Sequence, residues 1–276
     1  MSLLSVTAAD AGRGTDHPPP RPATRVFCLA HAGGSTAHFR AWRWLDPFAR
    51  VVPLELPGRG TRMGEPHEPD WEALVGGLTE TVAAEVGPRP ADPASADAPY
   101  VLFGHSLGAL LAFDISHRML ERGRPPALLA VAGRNGPSLP ASQCPVHRLA
   151  DREFVGALHA LGGLPTALTR QPELMRLFLP MIRRDLRLAE QYARPDVPRL
   201  PIPVVAFAGR QDPMTDAAGV LAWAHETTSV CELVFLEGEH FFLASGEFER
   251  QFAERIARLA GVAPRRQRGL AAQSSV

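Results

Sequence analysis

A serine hydroxyl attacks a carbonyl only when a base takes its proton and fixed donors receive the charge that develops. The sequence holds a serine suited to this in Gly104-His105-Ser106-Leu107-Gly108, a G-x-S-x-G pattern. Glycines two residues to either side leave room for a sharp strand-to-helix turn with Ser106 at its apex. In architectures built on this elbow, the acid and the histidine follow the serine in that order. Downstream stand Arg210-Gln211-Asp212-Pro213 and Gly238-Glu239-His240-Phe241-Phe242. Ser106, Asp212 and His240 are therefore the candidate catalytic triad, and the chemistry they point to is acyl transfer through a covalent acyl-serine.

Other residues compete for these roles. Asp216 follows Thr215 at the head of AAGVLAWAHE, where either side chain suits a helix N-cap; Asp216 is the alternative acid. His225 lies within that helix and reads as a surface or packing histidine. His105 sits inside the elbow, badly placed to reach its own neighbour. An oxyanion hole needs two donors. The backbone N–H of Leu107, next after the nucleophile, is one. The loop His31-Ala32-Gly33-Gly34-Ser35 supplies the second, assigned to the N–H of Ala32, and its glycines let backbone approach substrate closely. A phosphate cradle is the other reading of this loop, but neither G-K-[ST] nor G-x-G-x-x-G follows it.

These residues need a frame that brings them to one edge. Apolar runs at 25–30, 51–56, 100–104, 127–133, 203–209 and 231–237 mostly do not alternate with polar residues, as expected of strands buried on both faces of a parallel sheet. Helical stretches separate most of them, with Asp70 as an N-cap and Gly123 and Gly261 as C-terminal stops. The expected fold class is α/β, a mostly parallel doubly wound sheet. Each triad residue then lies just past a strand end. The interval between 137 and 203 contains no convincing strand. Residues 151–161 and 172–179 read as helical, and 181–192 continues after a break forced by Pro180. Leu174, Leu177, Phe178, Met181 and Ile182 share helical spacing. They either pack on the sheet or form a cap over its carboxyl edge. A crossover needs only about a dozen residues, which favours the cap.

The chain has 276 residues, 45% of them apolar, enough for one α/β domain of generous size. Its 29 basic residues, all arginine, balance 29 acidic ones. No net field draws nucleic acid or an anionic membrane. Cys28, Cys144 and Cys231 are odd in number and lack metal spacing; they read as free thiols in a reducing compartment. Residues 1–24 and 263–276 show no periodic apolar pattern and are expected to be disordered arms around a domain over 25–262. The Pro-rich stretch 87–99 reads as a surface loop. The N-terminus does not read as a signal peptide, and the apolar runs are too short to span a membrane. A soluble, cytoplasmic monomer without cofactor or metal is expected.

The motifs LAHAGGST, LELPGRGTRMGEP, FGHSLGALLAFD, DLRLAEQY, GRQDPMT and GEHFFL, in this order over about 25–259, together resemble a type II thioesterase. These are free-standing α/β-hydrolases associated with polyketide synthases and nonribosomal peptide synthetases. The resemblance implies hydrolysis of acyl thioesters on the phosphopantetheine arm of acyl or peptidyl carrier proteins, which clears stalled or aberrant acyl groups. It places the family's triad on Ser106, Asp212 and His240, its oxyanion hole on Ala32 and Leu107, and its mobile helical lid on roughly 145–195. Two departures stand out: Glu239 where the family often has glycine, and a longer loop at 87–99. Two other readings remain open. The acyl group can pass to an alcohol, an amine or an internal hydroxyl, or the chain can be a carrier-binding module without catalysis. Arg59, Arg62, Arg176, Arg183, Arg184 and Arg187 are candidates for docking an acidic carrier. The competing reading places them on a solvated face or in structural ion pairs with Asp185 and Glu190.

Overall fold

The computed structural model describes residues 24–67, 70–88, 98–139, 145–161, 172–194 and 196–262. Cys144, most of the 87–99 loop, and the expected arms up to residue 23 and from residue 263 lie outside the described residues. Six strands form one sheet: β1 (Thr24–Leu29), β2 (Ala49–Pro53), β3 (Tyr100–His105), β4 (Leu128–Ala132), β5 (Val204–Gly209) and β6 (Cys231–Leu236). The helices are α1 (Trp71–Val86), α2 (Leu107–Glu121), α3 (Asp151–Ala160), α4 (Pro172–Gln191), α5 (Ala217–Leu221) and α6 (Gly246–Ala260).

The spatial order is β2-β1-β3-β4-β5-β6, and every neighbouring pair is parallel. All residues of β3, β4 and β5 are buried, which explains why their sequences do not alternate. Phe27, Leu29 and Leu102 pack on one face with α1 and α2; Val26, Cys28 and Phe103 pack on the other with Trp42 and with Phe248 and Phe252 of α6. Local signals set the helix ends. The Asp70 carboxylate accepts the Ala73 N–H at 2.8 Å, and Gly261 leaves α6 at φ +68°.

Two boundaries differ from expectation. Thr24, placed in the arm, is the buried first residue of β1 and pairs with Ala49. The second strand runs over 49–53, whereas the apolar run suggested 51–56. Leu54 and Leu56 are buried core residues just past the strand end, with the Leu54 N–H still donating to the Cys28 carbonyl of β1 at 2.9 Å, so the apolar run marks burial that continues beyond the strand.

Chain direction across the sheet reverses between β1 and β3, since β2 lies to one side of β1 and β4, β5 and β6 lie beyond β3. Ligands of such sheets bind outside the carboxyl ends at this switch point. The loops leaving β1 and β3, at His31–Ser35 and at Ser106, stand side by side there, because Leu29 pairs with Gly104.

The described helices of the interval between 137 and 203 form a cap. Phe154 and Leu158 of α3 and Met175, Ile182 and Leu186 of α4 form an apolar cluster separate from the two cores that flank the sheet. At its base, Tyr192 donates to Asp114 of α2 at 2.8 Å, and Trp71 donates to the other carboxylate oxygen at 2.6 Å. Pro180 does not break the helix; α4 runs through it. The Pro180 ring is exposed. The apolar stripe on both sides of it offsets the roughly 3 kcal/mol a helical proline costs. Leu177 is 69% exposed and off that stripe, and the Leu174 side chain lies outside the described residues. Among the described residues, no helix is long and apolar enough to cross a membrane.

Candidate active site

Ser106 has φ +55° and ψ −111°, and among the described residues it alone combines a side chain with positive φ. Such a conformation costs on the order of 1–3 kcal/mol and survives only where the surroundings impose it. They do so through close backbone contacts. A Cβ on Gly104 would lie 2.0 Å from the Gly108 carbonyl oxygen, and one on Gly108 would lie 2.3 Å from that of Leu29. No other residue fits at either position while β3, β1 and α2 stay this close. The Ser106 N–H donates to the Ala132 carbonyl at 2.8 Å. The positive end of the α2 dipole meets the serine from below.

Asp212 follows β5 and His240 follows β6. The His240 Nδ1–H donates to Asp212 Oδ2 at 2.9 Å, and both side chains are buried. Asp212 Oδ1 accepts the Met214 N–H at 2.8 Å. The structure thus brings acid and histidine together and holds the carboxylate from both sides. Gly133, just past β4, gives the imidazole its place: a Cβ there would meet His240 Cε1 at 3.1 Å and His105 Nε2 at 2.9 Å. Ser106 Oγ makes no hydrogen bond to a described residue, and hydrogen bonds of a catalytic serine commonly tighten only when substrate is bound. Glu239 is exposed and so faces water beside the buried His240.

The rival acid has another task. Asp216 caps α5, its Oδ1 accepting the Gly219 N–H at 2.7 Å. Asp216→Ala is expected to cost about 1 kcal/mol of stability with kcat unchanged. Thermal denaturation and an activity assay on the same preparation check this. His225 is exposed.

His105 does something that spacing along the chain does not reveal. Its Nε2–H donates to the His240 carbonyl at 2.9 Å, fixing the loop that carries the candidate imidazole. His31 packs edge-on against His38, His105 and Phe241. Burial holds the His31 and His105 imidazoles well below the usual histidine range, and neighbouring imidazoles push the same way. These rings must fold neutral, whereas unfolded they bind protons below about pH 6.5. Stability is therefore complete above that pH and declines as pH falls below it, by on the order of 1 kcal/mol per pH unit for each such ring. Urea denaturation at pH 7.5 and 5.5 is expected to show the loss, and His105→Gln to reduce its slope.

A chamber of about 340 Å³ opens over Ser106, walled by Pro213 and Met214 beside the acid and by Leu186, Ala189 and Tyr192 from the lid. Its size and mixed lining suit a small acyl group. A second cavity, about 570 Å³, lies among His31, His38, Trp42 and Phe241 but does not reach Ser106.

The two assigned oxyanion donors, the N–H groups of Ala32 and Leu107, head the loops from β1 and β3, and neither donates to a described residue. The arginines proposed for docking separate into groups. Arg59 is buried and pairs with Asp185 through two bonds, 2.5 and 2.7 Å. Arg183 donates to the carbonyls of His147 and Leu149 and to Asp151, and covers the Phe154 ring. Arg62 is held by Glu65 and the Glu55 carbonyl. These three brace the structure. Glu190 binds His147 and, among the described residues, no arginine. Arg187 is exposed and Arg184 half-buried, and the Arg176 side chain lies outside the described residues.

Known proteins resemble this chain along most of its length. The family model described as a thioesterase domain matches residues 24–259. Thioesterase PikA5 of Streptomyces venezuelae is 36% identical over 229 residues, covering 82% of this chain and 78% of its own. Among solved structures, RedJ, the thioesterase of the prodiginine pathway in Streptomyces coelicolor, superposes with a TM-score of 0.73 and 33% identity, over 90% of this chain and 91% of its own. The type II thioesterase BorB of the borrelidin biosynthetic cluster gives 0.73 and 32%, over 88% and 94%. Because the matched span takes in the elbow, both loops beside it and the lid, the chain belongs to the thioesterase family and has its α/β-hydrolase fold.

Proposed function

We propose that this thioesterase hydrolyses acyl groups from the phosphopantetheine arm of acyl or peptidyl carrier proteins, clearing aberrant intermediates from polyketide or nonribosomal peptide assembly. The observation that carries the reading is Ser106, held in a left-handed elbow under a lidded chamber with the buried His240–Asp212 pair beside it. The pathways named for RedJ and BorB support the substrate class. The protein acts as a cytoplasmic monomer, and of the six candidate arginines Arg184 and Arg187 on α4 are the described ones left to meet an acidic carrier.

Two steps follow from the geometry. His240 Nε2 takes the Ser106 proton as Oγ attacks the thioester carbonyl. Asp212 accepts the Nδ1–H, which fixes the tautomer and stabilises the imidazolium. The tetrahedral oxyanion forms against the N–H groups of Ala32 and Leu107, aided by the α2 dipole. The C–S bond breaks, His240 returns the proton to the pantetheine sulfur, and Ser106 keeps the acyl group. Water then attacks the acyl carbonyl, giving its proton to His240; the C–Oγ bond breaks, His240 returns that proton to Ser106 Oγ, and the acid leaves. Product analysis with an acyl-pantetheine thioester tests this: free acid supports hydrolysis, whereas an ester or lactone as the main product overturns it.

A further inference from the structure

We infer that Asp185, carried on lid helix α4, is a positioning residue for the oxyanion hole: it holds the His31–Gly34 turn in the shape that presents the Ala32 N–H. The inference rests on the role proposed above for Ala32.

The turn is closed by the Gly34 N–H donating to the His31 carbonyl at 2.9 Å, with Gly33 at φ +76° in third position. These are features of a type II turn. The His31 carbonyl points into the turn. The Ala32 N–H, on the same trans peptide, therefore points out of it. The central N–H, that of Gly33, has no partner inside the turn and donates to Asp185 Oδ2 at 2.7 Å. Arg59 grips the same carboxylate with both Nη atoms, and its Nη1 also donates to the Gly34 carbonyl at 3.1 Å. The pair is almost fully buried, with side-chain exposures of 4% and 2%.

One change of the central peptide, from type II toward type I, would turn the Gly33 N–H away from the carboxylate. Asp185 opposes that rotation. Helix α4 also lies directly on the turn, since a Cβ on Gly33 would fall 2.6 Å from Ile182 Cγ1. A lid seated in this way and a correctly shaped hole are thus one arrangement. Stability alone does not explain the pair, because well-packed apolar residues can replace a buried ion pair without loss. Its direction explains it: both partners bind backbone of the turn that bears the oxyanion donor.

The test replaces the pair by apolar side chains, Arg59→Met with Asp185→Leu, which keeps volume near the turn and removes its acceptor. The expected result is a kcat about 10²-fold lower for an acyl-pantetheine, the cost of a displaced oxyanion donor, with KM within about 3-fold. A boronic acid that mimics the tetrahedral oxyanion should bind about 10²-fold more weakly, while a non-hydrolysable thioether analogue binds as before. Should the double variant not fold, Asp185→Asn leaves one oxygen for three N–H donors, and a kcat about 10-fold lower at unchanged KM is expected. A folded variant with kcat within about 3-fold of wild type overturns the inference. So does a loss confined to KM, which would make α4 a binding element only. Wild-type protein that releases no acid would instead sink the hydrolase reading, and the ratio of the two analogue affinities would still decide the role of Asp185.

Discussion

Ser106→Ala is expected to lower kcat for acyl-pantetheine hydrolysis by roughly 10⁵–10⁶-fold while leaving the fold intact, as loss of the nucleophile does in serine hydrolases. The size follows from what is removed. Without Oγ there is no acyl-enzyme, and only the oxyanion donors and the chamber remain to assist a direct attack by water. The fold should tolerate the change. Ser106 Oγ has no hydrogen bond to a described residue, and the left-handed backbone strains alanine about as much as serine. Circular dichroism and thermal denaturation would confirm an intact variant. Hydrolysis at the native rate by that variant would mean that the reaction does not pass through this oxygen.

Asp212→Asn should cost about 10⁴-fold in kcat, and the geometry says why. Oδ1 is claimed by the Met214 N–H at 2.8 Å. An asparagine therefore keeps its carbonyl oxygen toward Met214 and turns its NH₂ toward His240. His240 Nδ1 must then accept, which places the ring proton on Nε2, the atom that has to receive the Ser106 proton. The variant has the shape of the wild type and the wrong tautomer. Steady-state kinetics should show the loss in kcat, with KM little changed. A decrease of less than about 10-fold would indicate that Asp212 does not orient the catalytic histidine.

The features legible in the sequence are those with local causes. Unbroken apolar runs reveal strands buried on both sides, and Asp70 and Gly261 mark helix ends. The elbow announces itself because neighbouring backbone leaves no room for a Cβ at Gly104 or at Gly108, on either side of Ser106. Asp212 and His240 could be picked out because strand ends are where such folds keep their chemistry. Pro180 misled because a local rule, proline as helix breaker, was outweighed by burial of Ile182 and Leu186 beyond it. Long-range partners are only weakly marked in the spacing: Asp185 stands as one possible ion-pair partner for a group of arginines, without singling out Arg59. Arg59 and Asp185 meet from 126 positions apart, and His105 reaches a carbonyl 135 positions away. An arginine in a Gly-Arg-Gly stretch looks solvent-facing until the lid folds over it.

In the proposed reaction the carrier-bound thioester meets Ser106, and intact-mass spectrometry can follow both proteins at once. An acyl-phosphopantetheinyl carrier protein mixed with the enzyme should lose its acyl mass and return to the free thiol. During the first turnovers the enzyme should carry that mass on the Ser106 peptide, with free acid appearing as it decays. A carrier that keeps its acyl group, with Ser106 unmodified throughout, would contradict the account.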